Sequence, residues 1–133
     1  MTQTLDSIDP LLFSWKIKER ARTEGFDKVG IVRSEVLMPE RARLREWLAR
    51  GYEGEMRWLA REPDKRTDPL AIFPQAQSVI VVALNYYTNH HHVNVPGSGK
   101  ISRYAWGDDY HDVVGAKLRA LLNWIREEAP HAE

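Results

Sequence analysis

The stretch Ser78–Tyr86, S-V-I-V-V-A-L-N-Y, decides how this chain folds. Val79, Ile80, Val81 and Val82 follow one another without a break, and β-branched side chains suit a packed, pleated surface. A short continuous apolar run predicts a central strand buried on both faces. The same run, Val79–Leu84, is far too short to span a bilayer. Upstream, Lys28–Arg33 alternates enough for a second short strand. Val29 and Ile31 lie on one of its faces, Gly30 and Val32 on the other.

Helical patterns flank these strands. Asp9-Pro10 reads as an N-cap followed by proline at the first helical position, where a missing N–H does no harm. That helix runs to about Thr23, with Leu11, Leu12, Trp15 and Glu19 on one side, Ile17 and Ala21 nearby, and Gly25 as the stop. A second helix spans about Pro39–Arg50, with Leu44, Trp47 and Leu48 as its apolar stripe and Gly51 at its end. Asp108 or Asp109 caps a last helix to about Glu128. Its expected buried face is Val114, Leu118, Leu121, Leu122 and Ile125, and Pro130 ends it.

The connections are distinctive. Gly51–Arg61, G-Y-E-G-E-M-R-W-L-A-R, opens on a glycine-flanked turn, and Glu55–Arg61 is long enough for two helical turns. Glu62–Pro74 reads as a loop with one short helical piece around Asp68–Phe73. Thr88–Gly99 is a polar Gly/Pro-bearing loop, and Lys100–Trp106 is a strand or an extended segment. The order α, β, α, short α, β, extended segment, α predicts an α/β (α+β layered) class, a small sheet flanked by helices. A sheet of two or three strands is marginal alone. An incomplete domain of a longer protein is therefore expected, its sheet completed by strands beyond this chain.

Composition narrows the function classes. The 133 residues suffice for one domain, and 43% hydrophobic with 29% charged residues is ordinary for a globular protein. A formal net charge of +0 gives no bulk argument for nucleic acid or an acidic membrane. With Cys 0, disulfides, thiolate zinc, iron–sulfur clusters and thiol catalysis are excluded within these residues. Residues 1–8 are polar and expected to be flexible. They lack a basic region followed by an apolar one, so a cytoplasmic location is the default.

Three places carry candidate chemistry. Around Gly54–Leu59, Met56 and Trp58 either fill the core or form a lip over a planar ligand. Within Asp64-Lys65-Arg66, either all three charges are solvated or Arg66 turns inward as a fork for carboxylate, amide or phosphate oxygens. In Lys100–His111, K-I-S-R-Y-A-W-G-D-D-Y-H, no clean period appears. Tyr104 and Trp106 either pack on a strand or wall a site for something flat and polar, and Asp109 serves as a cap. Asp109 and His111 are two apart, so a helix does not set them on one face. His90-His91-His92 gives no metal-site geometry, and no metal ligand is assigned.

Four segments together identify a resemblance: G-Y-E-G-E-M-R-W-L at 51–59, D-K-R-T-D-P at 64–69, P-Q-A-Q-S-V-I-V-V-A-L-N-Y-Y at 74–87, and S-R-Y-A-W-G-D-D-Y-H at 102–111. In order and spacing they resemble the N-terminal domain of epoxyqueuosine reductase, over about Ile17 to Ile125. The resemblance implies a cobalamin-dependent, iron–sulfur oxidoreductase of the cytoplasm that completes queuosine biosynthesis. Such an enzyme reduces the epoxide of epoxyqueuosine in the anticodon loop of tRNA, and a monomer is expected. It implies that Arg66 and Ser102 match cobalamin-contacting positions. Met56, Arg103, Tyr104, Trp106, Asp109, Tyr110 and His111 are then walls of the same pocket. Family members continue into a V-D-T-G-like segment bearing the proposed proton-donor Asp, then into a Cys-rich domain with the 4Fe-4S clusters. Residues 9–133 are thus expected to be the cobalamin-side domain, truncated before both, with no catalytic residue and no turnover alone. The competing readings are a non-catalytic module holding cobalamin, another planar ligand or tRNA, and an α/β domain with no ligand.

Overall fold

The computed structural model describes residues 9–130; the expectation of a flexible segment at 1–8 lies outside them. Among the described residues the regular elements are α1 (Pro10–Thr23), β1 (Lys28–Arg33), α2 (Met38–Ala49), β2 (Ser78–Ala83) and α3 (Tyr110–Glu128). Single 3-10 turns cover Arg57–Ala60, Pro63–Arg66, Pro69–Ala71 and Arg103–Ala105. β1 and β2 form a two-stranded sheet. Asp27 N donates to Ala83 O and Ser34 N to Gln77 O, both at 3.0 Å, so the pairing is antiparallel. The α/β class is the expected one. The chain divides into two compact units, Met1–Gly30 with Val82–Glu133, and Ile31–Val81.

In the first unit α1 begins as its sequence dictates. Asp9 accepts from Leu11 N at 2.9 Å, and Pro10 occupies the first turn. The chain leaves α1 through Gly25, whose φ of 91° suits a residue without Cβ. Lys117 of α3 donates to the carbonyl of Glu24, supplying a partner to an otherwise free carbonyl at the helix end. Ala21, Phe26 and Leu121 are buried together, and Val29, Val82, Leu84, Val114, Trp124 and Ile125 pack around them.

The buried face of α3 differs from the expected one, and α1 packs through Ile17 and Ala21 and not through its Leu11–Trp15 side. On α1, Leu11, Leu12 and Trp15 are exposed, and Ile17 and Ala21 are buried. Phe13 stacks on Trp124 with centroids 6.2 Å apart. Steps of four residues, Phe13, Ile17 and Ala21, therefore make the packed stripe. On α3, Leu118 and Leu122 are exposed on one flank. Trp124 and Lys117 on the other flank reach α1, which rotates the buried centre toward Val114, Leu121 and Ile125.

In the second unit α2 presents Leu44, Trp47 and Leu48 as half-buried side chains, joined by Arg41. The two helical turns expected over Glu55–Arg61 shrink to the single turn Arg57–Ala60. Gly54 is left-handed, Met56 is not helical (ψ 53°), and Glu62 before Pro63 has φ 46°. Both ends are thus closed to propagation. The short piece expected at Asp68–Phe73 is the 3-10 turn Pro69–Ala71, with Asp68 accepting from Leu70 N at 3.0 Å. The triad Asp64-Lys65-Arg66, expected in an irregular loop, lies in the turn Pro63–Arg66.

The strand of the opening stretch stops at Ala83, before Tyr86. Val81 is exposed and Val79, Ile80 and Val82 are half-buried, not buried on both faces. Among the described residues β2 has one strand partner, so it is not a central strand. Lys100–Trp106 is neither strand nor uniformly extended, because Arg103–Ala105 closes a 3-10 turn.

Leu121→Ala should lower unfolding stability by about 2–5 kcal/mol in urea, whereas Leu118→Ala should cost less than about 1 kcal/mol. Equal losses would contradict the packing assigned to α3.

Candidate functional site

The expected site residues fall in both units. In the unit Ile31–Val81, Arg66 ends the turn Pro63–Arg66. Its Nη2 donates to the carbonyl of Trp58 at 2.9 Å, and its guanidinium lies 5.2 Å from the centroid of the Trp58 ring. The fork is therefore seated on an aromatic face as well as hydrogen-bonded. Trp58 and Met56 are exposed. Both therefore lie on the surface and do not fill the core, and Leu59 beside them is half-buried. Lys65 pairs with Glu62 within its own turn and stays solvated.

The turn beneath Arg66 is tied to α2. Arg41 donates from Nε to Thr67 Oγ1 at 3.2 Å and from Nη2 to Asp68 Oδ2 at 3.1 Å. Thr67 is 4% exposed, the one buried polar residue among those described. Arg45 meets Asp64 at 2.9 Å on the exposed side.

In the other unit the stretch Ser102–His111 makes two aromatic groups. In one, the Arg103 guanidinium lies 5.2 Å from the Tyr87 ring centroid and 5.9 Å from that of Trp106. Trp106 Nε1 donates to Ile101 O at 3.0 Å, and His92 meets the Trp106 ring edge-on at 4.8 Å. In the other, Tyr104 packs edge-to-face against Tyr86 at 6.5 Å and Tyr110 at 6.2 Å. These three tyrosines, with Phe26, Val82, Leu84, Asn85 and Val114, line a cavity of about 370 Å³. Ser102 is exposed at the head of the 3-10 turn, and its side chain makes no capping hydrogen bond.

Asp109 and His111 are brought together, contrary to the spacing argument. Asp109 is the N-cap of α3, with extended backbone (φ −62°, ψ 118°). It lies outside the helix, so helical face rules do not bind it. Its Oδ1 accepts from His111 N at 2.8 Å and lies 2.8 Å from His111 Nδ1. The imidazole also stacks on Tyr110 at 4.1 Å. The bond from the His111 backbone N–H, and then that from its side chain, hold the Asp109 carboxyl below its ordinary value. With Tyr104, Gly107 and Asp108, these residues border a second cavity of about 360 Å³. Among the described residues no group of three His, Cys, Asp or Glu is placed to hold a metal ion.

Sequence reasoning named most of these side chains but missed Trp58 as the partner of Arg66, and Tyr86 and Tyr87 as parts of the aromatic groups. The signal was there. Aromatics just past a strand's last apolar residue, as in N-Y-Y, no longer belong to the ladder.

Residues 66–133 match the family described as "Epoxyqueuosine reductase QueG, DUF1730". The chain is similar to the epoxyqueuosine reductase of Gloeobacter violaceus, 49% identical over 116 residues, covering 86% of this chain and 35% of that protein. It is similar to that of Atelocyanobacterium thalassa at 43% over 112 residues, covering 83% and 36%. The structure of epoxyqueuosine reductase from Streptococcus thermophilus shares its fold, with a TM-score of 0.67 at 22% identity over 86% of this chain and 31% of that one. The chain thus spans about 35% of the length of the curated relatives it matches.

The Asp109 carboxyl should titrate by NMR with a midpoint below the ~3.9 of a free aspartate. The cap it provides is complete above that ordinary value and lost as pH falls through the lowered midpoint. His111→Ala should raise the midpoint only partly, because the backbone N–H is the larger cause. A full return to the ordinary value would contradict the assignment.

Proposed function

The chain belongs to the epoxyqueuosine reductase family, and we propose that it is the cobalamin-side part, over residues 9–133, of an enzyme that reduces the epoxide of epoxyqueuosine in tRNA. The observation that carries the cobalamin reading is the seat of Arg66. Its guanidinium keeps further N–H donors after bonding Trp58 O, beside the exposed apolar surfaces of Trp58 and Met56. A corrin is a broad plane edged with amides, and such a ligand needs flat apolar surface with a few fixed donors. The donor set fits. In the other unit, Ser102 carries an exposed hydroxyl with no capping hydrogen bond, and it is proposed as a cofactor contact on the family resemblance alone.

When bound, cobalamin supplies the redox chemistry that opens the epoxide. The residues of this chain hold and orient. Arg66 would supply hydrogen-bond donors to the amide groups of such a cofactor, and Trp58 and Met56 would offer it apolar surface. Within the other unit, Arg103, Tyr104, Trp106, Asp109, Tyr110 and His111 would offer such a ligand their own aromatic, polar-tipped surface. Asp109 fixes the start of α3 and the tautomer of His111. The residues do not fit a 4Fe-4S cluster, because the chain contains no cysteine. The clusters and the proton donor belong to the remainder of a longer protein, as does turnover. The tRNA anticodon loop is the proposed partner and the cytoplasm the proposed location. No described helix is long and apolar enough to cross a membrane. For these residues taken alone, the absence of cysteine favours a second reading, a module that binds cobalamin without catalysis.

Arg66→Ala should weaken cobalamin retention far more than Lys65→Ala, read as the midpoint of an absorbance titration. Arg66 is seated on Trp58, whereas Lys65 is paired only within its own turn. Equal midpoints for the two variants would overturn the role given to Arg66.

A further inference from the structure

We infer that Arg41 is a positioning residue that sets the direction of Arg66; only its effect on binding rests on the cobalamin reading. Arg41 stands on the apolar stripe of α2, three and seven residues before Leu44 and Leu48. Its side chain is 19% exposed, against 77% for Arg43 and 61% for Arg45. A guanidinium withdrawn from water requires partners. It finds them in the two residues that follow Arg66. Nε meets Thr67 Oγ1, Nη2 meets Asp68 Oδ2, and Asp64 Oδ1 lies 3.6 Å from Nε.

Thr67 is gripped twice, because its carbonyl also accepts from Leu37 N, just before α2, at 2.9 Å. Asp68 divides its carboxylate. Oδ2 meets Arg41, and Oδ1 accepts from Leu70 N. One fork therefore joins α2 to the turns on both sides of Thr67. Arg66 is bonded directly to Thr67, and its long side chain reaches Trp58 only from a fixed root. On its other side, Lys65 is anchored only to Glu62. A lysine at position 41 would bring one mobile ammonium instead of a planar fork, and so would not fix Thr67 and Asp68 in one relative geometry.

The test uses the 133-residue chain and its Arg66 Nε–H resonance, identified by its loss in Arg66→Lys. Arg41→Lys should keep the helical circular dichroism yet move the Arg66 signal to the position of a freely solvated arginine. Thr67→Val, which keeps the Arg41–Asp68 pair, should displace it in the same direction by less. Cobalamin affinity should fall in Arg41→Lys, and Arg41→Lys with Arg66→Ala should bind no more weakly than Arg66→Ala alone. An unmoved Arg66 signal in folded Arg41→Lys, or in Thr67→Val should the first variant fail to fold, overturns the inference, as do additive losses. A wild-type chain that binds no cobalamin would sink the cobalamin reading. The Arg66 signal would still decide the positioning role.

Discussion

A guanidinium taken out of water governs the candidate surface of the segment Ile31–Val81. The turns Pro63–Arg66 and Pro69–Ala71 are too short to hold themselves, since a single 3-10 turn has few backbone bonds and poor geometry. Arg41 and Asp68 are both mostly buried, 19% and 17% exposed, and their fork-to-carboxylate contact supplies what the turns lack. Removing one partner would strand the other charge, so the pair specifies one arrangement of the turn more than it adds stability. Prolines at 63 and 69 narrow the alternatives further. The exposed pairs nearby, Arg43–Glu40 and Lys65–Glu62, are solvated and contribute little.

The other unit solves a similar problem with caps and aromatics. Lys100–His111 contains no regular element longer than one turn before α3 starts. Asp109 starts that helix by satisfying an orphan N–H, and the same oxygen holds the His111 ring. Rings then meet at edges and faces, Tyr104 between Tyr86 and Tyr110, Arg103 over Tyr87 and Trp106. Large flat side chains with polar tips can pack here and still present a surface. That combination explains why the stretch shows neither helical nor strand periodicity.

The fold was legible wherever a local rule acts alone. Asp9-Pro10, Gly25, Gly51 and Asp109 mark helix ends through chemistry confined to a few residues, and the three helices and two strands stand where those signals put them. Faces were less legible. Leu11 and Trp15 on α1, and Leu118 and Leu122 on α3, are as apolar as the residues that are buried. Only the partner helix, through Trp124 and Lys117, decides which side packs. Among the candidate residues of each unit, residue types announced Arg66, Tyr104 and Tyr110, but their partners came from tertiary placement. Trp58 receives Arg66 because a carbonyl and a ring lie within reach of one fork, which spacing alone cannot state. Asp109 met His111 because a cap residue is exempt from helical geometry.

The role proposed for Arg66, Trp58 and Met56 is to offer cobalamin a flat apolar surface with fixed donors. Difference absorbance of cobalamin on addition of the intact, folded chain reads that role without relying on turnover. A saturable change in the corrin bands is expected at one equivalent of chain. A folded chain that leaves the corrin spectrum unchanged at saturating concentration would contradict it.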